Sequence, residues 1–160
     1  MQPREAKVDL EQALACAVDA ARATGQLLRD NLHSAKRVHA ASQHDIKLEL
    51  DVRCQRRIER TLRGVFPHVA VLGEEGITGN PDASYRWVVD PIDGTVNYTY
   101  GIPHACVAIA LQGAGGQSRT AVAAPENLVG VVYDPFCDEL WTAVRGRPAR
   151  LNGRIIHVSR

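Results

Sequence analysis

The sequence predicts an α+β domain, with two N-terminal helices packed on a largely antiparallel sheet. Two observations carry this expectation. Before Pro67 the apolar residues recur at helical spacing in two stretches, and after Pro67 they gather into short runs divided by turn residues. Helices first and strands afterwards is the order of an α+β fold, whereas a doubly wound parallel sheet alternates the two.

In the first helix Leu10, Leu14, Ala17, Val18, Ala21 and Leu28 recur at helical spacing, with Asp9, Glu11, Arg22 and Arg29 mostly on the other side. Ile46-Lys47-Leu48-Glu49-Leu50-Asp51 then alternates apolar and polar, the period of a half-buried strand, before Cys54, Ile58, Leu62 and Val65 return to helical spacing. Asp51 is therefore expected at a strand-to-helix junction, where a carboxylate either caps the helix or turns towards a site outside it. The later runs, Val69 to Leu72, Trp87 to Val89, Val107 to Leu111, Leu128 to Tyr133, Leu140 to Val144 and Ile155 to Val158, read as strands. Pro135-Phe136-Cys137-Asp138 and Asn152-Gly153 read as hairpin turns, and Gly113 to Gln117 as a loop between two strands.

With 160 residues, 45% of them hydrophobic and 23% charged, the chain is long enough for one domain with its own core. No apolar run approaches the roughly 18 residues of a membrane span. Met1-Gln2-Pro3-Arg4-Glu5 leads into an amphipathic stretch rather than a secretory signal, so the expected location is the cytoplasm. Net charge is +1 and the 19 basic residues are spread along the chain, which predicts neither a nucleic-acid nor a membrane partner. The densest basic patch, Arg53, Arg56, Arg57, Arg60 and Arg63, is expected to be a solvated helix face. Cys16, Cys54, Cys106 and Cys137 form no C-x-x-C pair and read as buried or idle thiols.

The chemistry lies in four acidic residues beside glycines: Glu74 and Glu75 in Gly73-Glu74-Glu75-Gly76, and Asp90 and Asp93 in Asp90-Pro91-Ile92-Asp93-Gly94-Thr95. Crowded carboxylates repel one another, and a divalent cation reverses that cost. An oxygen-only donor set selects a hard ion, magnesium before zinc, which prefers histidine and cysteine. Pro91 holds Val89-Asp90 extended, so Asp90 and Asp93 are expected to point from the two ends of a tight turn, with the Ile92 carbonyl able to face the same ion. Gly94 lets the backbone approach a phosphate, and the amides of Gly94 and Thr95 offer an anion-binding helix start or nest. D-x-x-D-G by itself is also what an ordinary turn uses.

Three segments together, Gly73-Glu74-Glu75, Trp87-Val88-Val89-Asp90-Pro91-Ile92-Asp93-Gly94-Thr95-Val96-Asn97-Tyr98 and Gly101-Ile102-Pro103, closely resemble the signature of inositol monophosphatases and their relatives. The resemblance continues through Gly130 to Pro135, Leu140 to Gly146 and Leu151-Asn152-Gly153, and so covers the chain from Leu10 onward. It implies that residues 1–160 are the N-terminal metal- and phosphate-binding domain of a layered αβαβα phosphatase fold. It implies Mg2+ as cofactor, a small phosphorylated metabolite as substrate, inhibition by lithium and a homodimer in the full-length form. Glu74 resembles the family's ligand of a first magnesium, with the Ile92 carbonyl beside it; Asp90 resembles the carboxylate shared by two ions, and Asp93 a ligand of the second. Thr95, with Glu74, corresponds to the pair that orients the attacking water, while the Gly94 and Thr95 amides hold the phosphate. Glu75 and Asp51 match acidic positions close to the metals.

The sequence also departs from the family. Lys47-Leu48-Glu49-Leu50 stands where many relatives carry a Val-Thr-x-x segment, and Ala40 replaces a lysine. No Trp-Asp pair occurs, since Val88 follows Trp87 and Thr142 follows Trp141, whereas the family's Trp-Asp aspartate completes the second metal site. Relatives continue past the position of Arg160 for roughly another domain's length. The expectation is thus a phosphatase whose activity belongs to a longer parent, against two alternatives: a non-catalytic metal- and anion-binding module, or one half of a split enzyme.

Overall fold

The computed structural model describes residues 8–34, 38–41, 46–74, 76–113 and 125–159. Helix α1, Leu10–Asn31, begins at Asp9, whose Oδ1 accepts from the Glu11 and Gln12 amides at 2.9 and 3.4 Å. Glu11 in its first turn and Arg29 in its last both match the helix dipole. The face that α1 buries is made of small residues, Ala13, Ala17, Ala20, Ala21 and Gly25, with Leu28 at its end, so the helix lies close against its neighbours.

A short hairpin of β1 (Val38–Ala41) and β2 (Ile46–Leu48) leads into α2, Glu49–Val65. The strand expected over residues 46–51 ends at Leu48. Leu50, Cys54, Ile58 and Leu62 are buried while Arg56 and Arg60, which a strand would put on the same face, are exposed, a pattern that fits a helix, and Leu50 and Asp51 join α2.

The main sheet has eight strands: β3 (Ala70–Gly73), β4 (Gly76–Thr78), β5 (Tyr85–Asp93), β6 (Cys106–Gly113), β7 (Glu126–Asp134), β8 (Glu139–Val144), β9 (Arg150–Leu151) and β10 (Arg154–Ile155). Their order across the sheet is β10-β9-β8-β7-β6-β5-β3-β4, and every pairing is antiparallel except β3 with β5. The α+β expectation holds. The run expected to Val158 pairs only through Ile155, and of the expected loop at 113–117 only Gly113, the end of β6, is among the described residues.

One face of the sheet carries Trp87, Val89, Val107, Ile109, Leu111, Val129, Val131 and Tyr133 into the core beneath α1 and α2. The opposite face is apolar as well. Val88, Ala108, Ala110, Gly130, Val132, Trp141 and Ala143 line an open groove of about 430 Å3 on it. No described helix is long and apolar enough to cross a membrane.

Candidate metal and phosphate site

Strand β5 builds the site. Its alternation sends Trp87 and Val89 into the core and leaves Val88 and Asp90 half-buried on the other face. Against β6 the register slips: Asp90 pairs with Ala108, but Asp93 pairs with Cys106, so one extra residue is accommodated on β5. Such a bulge bends the strand and re-aims its side chains. Asp90 and Asp93 thus lie on a continuous bulged strand rather than at the two ends of a separate tight turn.

Within the bulge Asp90 Oδ1 accepts from the Ile92 amide at 3.2 Å, and the Ile92 carbonyl accepts from Thr95 Oγ at 2.8 Å. Gly94 follows with φ +96°, a conformation that favours glycine, and a Cβ there would lie 2.8 Å from the His104 carbonyl oxygen. Helix α3, Thr95–Thr99, starts at this glycine, with the Tyr98 amide donating to the Gly94 carbonyl at 3.0 Å. Asn97 Nδ2 donates to the His104 carbonyl at 3.1 Å and ties α3 to the segment entering β6. Tyr98 is fully buried, and its hydroxyl donates to the Leu28 carbonyl, at 2.9 Å, in the last turn of α1. The glycine turn is therefore fixed from both sides.

The electrostatics are those of concentrated negative charge. Burial first, then the neighbouring Asp93, raise the Asp90 carboxyl above its usual range, with the Ile92 amide opposing them. Cys106 Sγ lies 3.6 Å from Asp93 Oδ2. Burial, followed by the charge of Asp93 and the hydrogen bond to it, with Asp90 and Asp134 adding, pushes that thiol up to about 12. A cleft of about 520 Å3 opens here, lined by Asp93, Gly94, Asn97, His104, Cys106 and Asp134 among others, and it shares Val132 and Trp141 with the apolar groove.

Of the residues singled out from sequence, Asp90, Ile92, Asp93, Gly94 and Thr95 are brought together. Glu74 is exposed on the turn after β3; because Leu72 pairs in parallel with Val88, Glu74 and Asp90, each two residues further on, lie towards the same end of the two strands. Glu75 lies outside the described residues. Asp51 is the third residue of α2, 1% exposed, and its charge acts on Cys54 and Tyr98 rather than appearing among the influences on Asp90. Among the described residues no three His, Cys, Asp or Glu side chains form one metal-holding group. The donor chemistry nevertheless fits a hard cation: two adjacent carboxylates, one destabilised in its charged form by the other, and a carbonyl that keeps a second lone pair beyond the Thr95 hydroxyl.

Sequence reasoning missed Cys106, Asn97, Asp134 and Trp141 as neighbours of the site. Cys106 reads from sequence as a buried or idle thiol, yet the β5–β6 register places it directly across from Asp93. Period-two alternation gives its face, but nothing local gives that register.

A sequence profile of the inositol monophosphatase family matches residues 9–160, and the chain belongs to that family. It is 41% identical over 154 residues to inositol monophosphatase 1 of Solanum lycopersicum, covering 94% of this chain and 53% of that protein. It is 38% identical over 140 residues to the Nus factor SuhB of Escherichia coli K12, covering 86% of this chain and 49% of that one. Among solved structures, the extragenic suppressor protein suhB from Bartonella henselae superposes with a TM-score of 0.79 at 32% identity, over 92% of this chain and 55% of its own. The chain spans about half the length of the curated relatives it matches.

Proposed function

We propose that this chain supplies most of the metal and phosphate site of a Mg2+-dependent phosphomonoesterase that acts on a small phosphorylated metabolite, inositol monophosphate before other monoesters. The observation that carries the reading is the bulged end of β5, where Asp90, Asp93, the Ile92 carbonyl and the Thr95 hydroxyl surround a glycine turn at φ +96°.

In this reading Asp90, Asp93, the Ile92 carbonyl and Glu74 hold Mg2+. When bound, the metal lowers the pKa of a water towards neutrality and stabilises the oxygens of an in-line displacement. The remaining work belongs to the protein. Gly94 keeps side-chain bulk away from the phosphate, and the Gly94 and Thr95 amides hold its oxygens. Thr95 Oγ donates to the Ile92 carbonyl, so its own lone pairs face outward to accept from, and orient, the attacking water. Attack by water is supported over a cysteine nucleophile, because the nearest thiol, Cys106, is turned to Asp93 Oδ2 at 3.6 Å, a side chain that this reading gives to the metal. Asp51 and Glu75 belong near the metals only as the family resemblance implies; the burial of Asp51 beside Tyr98 favours a supporting role under α3.

The remaining half of a relative-length protein is proposed to sit on the apolar groove beside the cleft, bringing the last metal ligand and the surface that recognises the alcohol. Cytoplasmic location, lithium sensitivity and a homodimer of the full-length form belong to the same proposal. Because the chain spans about half the length of the relatives it matches, a second reading for the chain by itself is a metal- and anion-binding module with little turnover.

The test is phosphate release from inositol monophosphate, with fructose 1,6-bisphosphate, nucleotide 3′-phosphates and histidinol phosphate for comparison. It is run on the chain alone and joined to the C-terminal half of a relative. The joined protein turns over with Mg2+, is inhibited by lithium and loses at least about a hundredfold on Asp93→Asn, as expected for a lost metal ligand. Turnover undiminished in excess EDTA refutes the reading.

A further inference from the structure

The outward face of α2 shows a pattern that the phosphatase reading does not use. Arg53, Arg56, Arg57, Arg60 and Arg63 are all exposed and fall within one third of the helix circumference. Successive arginines three or four residues apart rise about 4.5 to 6 Å along the axis. Five pairs of like charge therefore stand at i,i+3 or i,i+4 spacing, each opposing helix formation. A solvated face ordinarily mixes the two signs. Here two acids, Glu49 and Glu59, stand beside five cations, and Glu59 also accepts from Gln55 at 2.9 Å.

Most of the other described arginines, though not Arg154, have a side-chain partner. Arg29 binds Tyr133 and Pro135, Arg86 binds Gln112, Arg145 and Arg147 pair with Glu126 and Glu11, Arg150 binds Gly153, and Arg22 lies over the Tyr133 ring. None of the five guanidinium groups on α2 makes a hydrogen bond or ion pair with a described residue. They repel one another along nearly three turns, with only Glu49 and Glu59 among the described acids of α2 three or four residues away from any of them.

We propose that this stripe binds the phosphate backbone of a single-stranded nucleic acid, without sequence preference. Guanidinium groups bind phosphate bidentately, and a ladder of them matches a ladder of phosphates. No aromatic side chain interleaves the arginines, which removes base stacking and leaves backbone contacts alone. The same lack disfavours a protein partner, whose interface centres on aromatic or large apolar anchors. A membrane surface requires an amphipathic helix to insert its apolar face, and here Leu50, Cys54, Ile58 and Leu62 are spent in the core. The expectation of no nucleic-acid partner rested on charge spread along the sequence and on taking this patch as a solvated helix face; the five side chains are exposed on one face of α2. The stripe shares no residue with the cleft at Asp93, so the proposal stands or falls independently of the phosphatase reading.

The experiment is fluorescence anisotropy of a labelled mixed-sequence 20-nucleotide RNA titrated with the 160-residue chain at several salt concentrations. Five backbone contacts give a log–log salt slope of about −3.5. Arg56→Gln/Arg60→Gln weakens binding at least tenfold at low salt and brings the slope to about −2, while Arg145→Gln, outside α2 and paired with Glu126, leaves both unchanged. Because the double variant removes repulsion, it melts no lower than the parent, which separates lost binding from lost folding. Absence of binding at low salt overturns the proposal, as does binding indifferent to the double substitution. Equal affinity for polyglutamate or anionic vesicles at matched charge overturns it in favour of another partner class.

Discussion

Replacing Gly25 by alanine tests the packing of α1 on the sheet, because two effects of opposite sign meet at one methyl group. In an open helix interior alanine is better than glycine by about 1 kcal/mol. At Gly25 the added Cβ would lie 2.6 and 2.7 Å from Tyr133 Cε1 and Cδ1 and 2.9 Å from Pro135 Cβ, well inside ordinary contact. The ring is poorly placed to yield: its hydroxyl accepts from Arg29 at 3.1 Å and donates to Asp138 at 2.8 Å, and Arg22 lies 5.7 Å from the ring centroid. Overpacking of this kind costs about 1 to 3 kcal/mol, and displacing Tyr133 adds about 1 for each hydrogen bond lost. Taking the upper end of the overpacking cost with both hydrogen bonds kept, and subtracting the propensity gain, leaves Gly25→Ala about 2 kcal/mol less stable, a fall in Tm of roughly 4 to 8 °C for a chain of this size. Gly64, near the end of α2 with nothing within 4 Å of its would-be Cβ, is the internal control. Gly64→Ala keeps the propensity gain and raises Tm by roughly 1 to 3 °C. Thermal melts followed by far-UV circular dichroism read both. A Gly25→Ala protein melting at or above the parent refutes the contact argument.

Two further outcomes follow from the site and the core. Gly94→Ala places a side chain at φ +96° against the His104 carbonyl, so it lowers stability by about 1 to 2 kcal/mol and removes phosphate affinity; unchanged phosphate binding by calorimetry counts against the cradle. Burial raises the Cys16 and Cys54 thiols from 9.0 to about 11 and about 12. Both are protonated more firmly in the fold than in the unfolded chain, so their stabilisation is complete below pH 9 and is lost as pH climbs towards 11 and 12. Tyr98, raised above 10.0 chiefly by burial, adds in the same direction at higher pH. A urea midpoint that stays level between pH 8 and pH 10.5 contradicts this.

The parts of the site that the sequence disclosed are those held together by a few peptide bonds. Asp90, Ile92, Asp93, Gly94 and Thr95 fall within six residues, so their proximity needs no knowledge of the fold. Glu74 already depends on the parallel pairing of β3 with β5, which becomes visible only once the strands are placed. Cys106 and Asp134 depend on the registers of β6 and β7, across spans of 13 and 41 residues from Asp93. Similarly, the alternation over residues 46–51 fits a strand locally, and only the burial of Cys54, Ile58 and Leu62 further on assigns its second half to a helix.

The sheet itself shows why register was not legible. In β6 the inward residues are Val107, Ile109 and Leu111 and the outward ones Cys106, Ala108 and Ala110; both sets are apolar, so polarity does not alternate. What alternates is size. Large residues face α1 and α2, whereas Ala108, Ala110, Gly130 and Ala143 give the second face a shallow, small-residue surface around Val132 and Trp141. Near-continuous apolar strands are the mark of a sheet covered on both faces, and small side chains allow the second cover to approach the backbone closely. The groove runs into the cleft at Asp93 through Val132 and Trp141, so a layer seated on it arrives beside the acidic pair. If that layer carries the missing ligand, joining it to this chain should raise Tm and divalent-cation affinity together. A joined protein in which stability rises while cation binding stays unchanged would leave the groove a packing surface only.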